Sequence, residues 1–132
     1  EELPAGLDPA DIAAMKSAGV DVKTIPTTGQ DAELAAIQRI LAGEQFMTVY
    51  KAIKQQAEAS AQAAVDLANG KTPANATSKV NNGVIDVPSI LLTPVAVTKE
   101  NVNATVVADG FYTVDAICTA DYKEACTAAG VS

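Results

Sequence analysis

Leu34, Ile37, Ile40 and Leu41 recur at the three- and four-residue spacing of a helix with one buried face, and Gly43 follows where such a helix would stop. The spacing predicts a helix from Ala32, with Asp31 as its N-cap. On either side the pattern changes to β-branched and aromatic residues. Val22 to Thr28 reads as a short strand, which Pro26 confines to an edge or to pairing on one side, and Gly29 and Gln30 form the turn after it. Phe46 to Lys51 reads as a second strand. Strand, helix and strand over about 30 residues make one βαβ unit, whose strands run parallel.

Elsewhere the pattern is also mostly helical. Asp8 as N-cap, Pro9 in the first turn, Asp11 and a closing Gly19 mark a short first helix. Ala52 to Asn69 is the clearest helix, with Ile53, Ala57, Ala61, Ala64, Val65 and Ala68 on one side and Gly70 as the stop. Polar turn formers from Lys71 to Gly83 predict a loop or loose hairpin leading into an apolar, β-prone run from Val87 to Val97 that Pro94 breaks. Thr98 caps a short helix from Lys99 to Ala108, and Thr119 to Ala129 is helical. The sum is an α/β chain without internal repeats.

Composition narrows the chemistry. A chain of 132 residues that is 48% hydrophobic can bury a core as one domain or part of one. Nine basic residues against sixteen acidic ones give a net charge of −7, so nucleic acid is not expected as a partner. The apolar runs are too short to span about 30 Å of hydrocarbon, so direct membrane insertion is not expected either. The first residue is Glu1 and no leader precedes it, from which a cut N-terminus or a start within a longer gene is expected. Without histidine there is no conventional general base near neutrality and no Ser-His-Asp constellation. No EF-hand carboxylate cluster or phosphate-cradling glycine pattern occurs, so no metal, cofactor or catalytic residue is expected. The one enzymatic route left is a Schiff base on Lys51.

Cys118 and Cys126 are eight residues apart, about 12 Å on one continuous helix and too far to bridge. A disulfide becomes possible if Cys118 lies before the helix. The alternative is two buried thiols.

In an open parallel α/β sheet, ligands bind beyond the carboxyl ends of the strands, where Asp31 and Lys51 fall. A helix N-terminus favours a negative charge at Asp31 by about 0.3–1 kcal/mol. A carboxylate only accepts hydrogen bonds and an ammonium only donates them, so together they suit a ligand whose groups do both, such as a sugar. Asp is also among the commonest N-caps, and a lysine at a strand end is ordinarily just solvated.

The stretches GQDAELAAIQRILAGEQFMTVYK (29–51), VNNGVIDVPSILLTPVAVTKENV and VVADGF carry a more specific signal. Over Gly29 to Phe111 the chain resembles the C-terminal part of the periplasmic D-xylose- and other aldose-binding proteins of ABC importers. The resemblance implies a type I periplasmic-binding-protein fold, α/β with a parallel sheet, in which two lobes close over a monosaccharide and deliver it to a membrane permease. It further implies that Asp31 accepts from sugar hydroxyls and Lys51 donates to sugar oxygens, that Gly29 and Gln30 support the turn, and that Tyr50 packs inward. Residues 1–51 then form part of the C-terminal lobe, 52–93 a segment normally belonging to the N-terminal lobe, and 94–132 the return and a C-terminal extension. The expected location is the periplasm or the cell exterior, free or lipid-anchored through residues upstream. The family's asparagine contact has no match in EELPAGLDP, so the chain is expected to lack half of the site. The alternatives are the sugar-sensing domain of a transcription regulator, since this architecture serves both tasks, and a Lys-dependent carbonyl enzyme.

Overall fold

The computed structural model describes residues 9 to 131. The N-cap predicted at Asp8 lies outside them. Chain contacts divide the protein into two compact units, one running up to Lys51 and resuming at Val95, the other Ala52–Pro94.

The first unit opens with α1 (Pro9–Ser17), which stops before Gly19 at φ +74°. Asp21 then caps a single 3-10 turn, Val22–Thr24, by accepting from the Lys23 N–H. This turn takes the place of the strand predicted from Val22: the local Asx bond competes with extension. The strand β1 is shorter and later, Thr28–Gln30, so Gly29 and Gln30 lie in it rather than in a turn. Next come α2 (Leu34–Ala42) and β2 (Met47–Tyr50), with Gly43 at φ +76° closing the helix through its N–H. β1 and β2 pair in parallel, Gln30 opposite Val49, as the βαβ pattern predicts. The third strand, β5 (Val95–Val97), runs antiparallel on the other edge of β2. Mixed sheets with one such edge strand are common.

The core of this unit forms around α2, where Ile37, Ile40 and Leu41 are fully buried together with Val97, Val102 and Val106. β2 alternates, with Thr48 and Tyr50 buried and Met47 and Val49 half-buried, which puts Tyr50 on the packing face. The segment after β5 departs from the predicted helix Lys99–Ala108. Thr98 does not cap it: Asn101 accepts from the Thr98 N–H and donates to the Ala96 carbonyl, and a short π-type turn, Asn103–Val107, follows. The helix predicted from Thr119 to Ala129 is shorter, α5 (Lys123–Ala128), and a further short helix, α4 (Val114–Ile117), precedes it. Cys118 precedes α5, and the two cysteines are joined as a disulfide.

The second unit holds α3 (Ile53–Ala68) and an antiparallel hairpin of β3 (Ser78–Asn81) and β4 (Asp86–Ser89). Asn82 makes the hairpin turn by accepting from the Val84 and Ile85 N–H groups. No residue of this unit is buried. The apolar side predicted for α3 is bare, with Ile53 59% and Val65 56% exposed, while the partly covered positions are Ala59, Ala63 and Asp66.

Candidate functional site

Asp31 and Lys51 are each the first residue beyond the carboxyl end of a strand, β1 and β2 respectively. Because those strands are adjacent and parallel, their ends lie side by side, and the Lys51 ammonium sits 2.7 Å from the Asp31 carboxylate. Both side chains are about half exposed, 47% for Lys51 and 49% for Asp31, which leaves the pair open to a ligand. The same ammonium donates to the Gln30 side-chain oxygen at 3.1 Å.

Asp31 is not the helix cap. The cap position is Glu33, whose side chain makes no capping bond, and the helix starts one residue later. The reason is in the backbone: Asp31 and Ala32 both take positive φ, +71° and +49°, so the chain turns sharply between strand and helix. Left-handed residues without glycine cost about 1–3 kcal/mol each and persist only where their surroundings hold them. Here the buried Thr48 hydroxyl accepts from the Ala32 N–H at 3.3 Å, across 16 residues of sequence.

A second support lies beneath β1. Gln45 is buried, accepts from Arg39 Nε at 3.0 Å and donates to the Met47 carbonyl at 3.0 Å. A Cβ on Gly29 would fall 2.9 Å from the Gln45 amide nitrogen. Glycine is needed there for close approach, not for a turn. Thr48, Gln45 and Arg39 carry no periodic or motif signal, and nothing in the sequence pointed to them.

Behind Lys51, the Tyr50 ring meets Phe111 at 5.1 Å between centroids, and Phe111 meets Tyr112 at 4.7 Å. Burial, and then the negative charge of the Asp109 carboxylate, push the Tyr50 pKa up. The phenol stays protonated at neutral pH.

Among the described residues there is no cluster of three or more His, Cys, Asp or Glu side chains able to hold a metal ion, and no helix is long and apolar enough to cross a membrane. The candidate site is a carboxylate, an ammonium and an amide grouped at the ends of two parallel strands. The groups suit hydrogen bonding to a neutral polar ligand.

The solved structures identify the fold as that of part of a type I periplasmic sugar-binding protein. A carbohydrate transporter solute-binding protein from Chloroflexus aurantiacus, determined in complex with D-glucose, matches with a TM-score of 0.68 and 36% identity, over 81% of this chain and 30% of that one. Sequence is more specific. The chain is 50% identical over 101 residues to the D-xylose-binding periplasmic protein of Escherichia coli, covering 76% of this chain and 30% of the relative. The D-xylose-binding periplasmic protein of Haemophilus influenzae is 49% identical over 107 residues, 80% of this chain and 31% of the relative. The chain is thus a homologue of the D-xylose-binding periplasmic proteins, and it spans about 30% of their length. No protein-family model matches it.

Proposed function

We propose that this chain is the C-terminal portion of the substrate-binding protein of an ABC-type sugar importer, a periplasmic receptor that binds D-xylose or a related aldose reversibly and passes it to a membrane permease. The observation that carries the reading is the pairing of Asp31 with Lys51 at 2.7 Å, at the ends of two parallel strands, in a chain half identical to D-xylose-binding proteins.

The chemistry follows from the donor and acceptor inventory. A sugar hydroxyl donates to the Asp31 carboxylate and accepts from the Lys51 ammonium, so one hydroxyl, or two neighbouring ones, can replace the water around the pair. Charge-assisted hydrogen bonds of this kind contribute about 1.5–3 kcal/mol each. Neither group breaks a bond of the sugar, and binding proceeds without turnover. Gly29 and Gln30 serve from within β1, and Tyr50 serves by packing.

The same reading assigns residues 52–93 to the receptor's other lobe and the remainder to the C-terminal lobe. Two observations support it: the contact division falls at Ala52 and Pro94, and the unit between them has no buried residue of its own. The remaining sugar contacts then come from the part of the receptor beyond this chain.

Equilibrium dialysis of the full-length receptor against labelled D-xylose tests the proposal, with D-glucose, L-arabinose and D-ribose as competitors. One saturable site, displaced by at least one aldose and returning the sugar unchanged, is the expected result. Absence of binding to all four sugars, or recovery of a chemically altered sugar, would overturn it.

A further inference from the structure

We propose that Gln30 is a positioning residue for Lys51, fixing which of the ammonium's three N–H groups is left for the ligand. The inference rests on the sugar-binding reading of Asp31 and Lys51.

Gln30 stands opposite Val49 in the parallel pair, so the two side chains leave the same face of the sheet, and Lys51, two residues beyond Val49, leaves that face again. The Gln30 side chain is thereby carried to the Lys51 ammonium, and its oxygen accepts from Nζ at 3.1 Å. Asp31 takes up a second N–H direction at 2.7 Å. An ammonium has three donors, so one remains.

This matters because lysine is a poor rigid donor by itself. Its four-carbon stem carries roughly 2 kcal/mol of rotamer entropy, and packing does not restrain a side chain that is 47% exposed. Two acceptors at fixed strand ends hold the ammonium before the ligand arrives. Ordering that is already present in the free protein need not be supplied on binding, which is the general source of gain from preorganisation. Gln30 is itself exposed and fills no part of the core. Its contribution is therefore to the aim of Lys51 rather than to the stability of the fold.

The test uses the full-length receptor and calorimetric titration with D-xylose and D-glucose. Gln30→Met matches the size of glutamine and lacks the acceptor; Gln30→Glu keeps an acceptor at the same reach. The expected result is a five- to twentyfold loss of affinity in Gln30→Met, affinity within threefold of wild type in Gln30→Glu, and melting temperatures of both within about 2 °C. In a Lys51→Met background, Gln30→Met should add less than twofold, because its target is gone. Equal losses with and without Lys51, or no loss in Gln30→Met, would overturn the assignment of Gln30 while leaving the sugar site intact. If Lys51→Met alone leaves affinity unchanged, the reading of the site fails and the role of Gln30 fails with it.

Discussion

Asp31 and Ala32 hold left-handed backbone angles that cost about 1–3 kcal/mol each, and the ion pair that Asp31 makes is half exposed and contributes only about 0–1 kcal/mol. The turn is not there for stability. Its effect is to aim a carboxylate past the end of β1, where Lys51 reaches it. Asp31→Asn, which keeps a side chain that tolerates positive φ and removes the charge, should therefore melt within about 2 °C of the parent in a thermal scan. Gly29→Ala should behave in the opposite way. Its methyl group meets a Gln45 amide pinned by Arg39 and Met47, and overpacking of this kind destabilises by about 1–3 kcal/mol, readable as a lower denaturant midpoint. At this scale the local pattern placed Asp31 and Lys51 at strand ends, while the sugar-contact roles proposed for them came from the family resemblance and Gly29 was read as a turn residue rather than a point of close approach. The cap role of Asp31 could not be judged, since it depends on two φ angles that spacing does not reveal. Thr48 and Gln45 act through contacts that only the fold brings together.

Elements built on a strong helical or strand period were readable, and those decided by one side-chain bond were not. The α2 period and its Gly43 stop predict the helix correctly at its end, while the start shifts from Ala32 to Leu34 because of the left-handed turn. β1 moved to Thr28–Gln30 because Asp21 draws the preceding residues into a 3-10 turn. The helix predicted from Thr119 starts only at Lys123 and α4 precedes it; the Cys118–Cys126 bond joins the end of α4 to α5, and the Gln38 amide, which donates to the Ile117 carbonyl, ties α4 to α2. Closing a loop of eight residues corresponds to about 2.5 kcal/mol of chain entropy, so Cys118→Ala with Cys126→Ala should lower the equilibrium unfolding free energy by about that amount. β2 has its own pH signature. The Tyr50 pKa is raised in the folded state by burial and by Asp109, so the folded protein holds this proton more tightly than the unfolded one. The stabilisation is fully present below about pH 10 and is lost as pH rises through the folded value. Unfolding free energy measured from pH 8 to 11 should fall less steeply above pH 10 in Tyr50→Phe than in the parent.

For the whole molecule, the two units differ in kind. The first holds the buried core and the Asp31–Lys51 pair, whereas no residue of the second is buried. Between α3 and the β3–β4 hairpin the second unit leaves a groove of about 490 Å³ lined by Ala59, Ala63, Leu67, Val87 and Leu92 among others, with no charged residue. Such a surface matches packed side chains better than a polyhydroxylated ligand. A 43-residue unit without buried side chains cannot offset its conformational entropy, and a peptide of residues 52–94 should show no cooperative thermal transition by circular dichroism. The class of fold was legible because the βαβ pattern is local, but the bare face of α3 was not, because an amphipathic period says which side can be buried and not whether a partner is present. Calorimetric titration of the full-length protein with D-xylose, alongside its Asp31→Asn variant, is the sharpest test of the role proposed for the Asp31 carboxylate. One site is expected in the parent and an affinity at least tenfold weaker in the variant, a loss of about 1.4 kcal/mol or more. Equal affinity in the two proteins would contradict it.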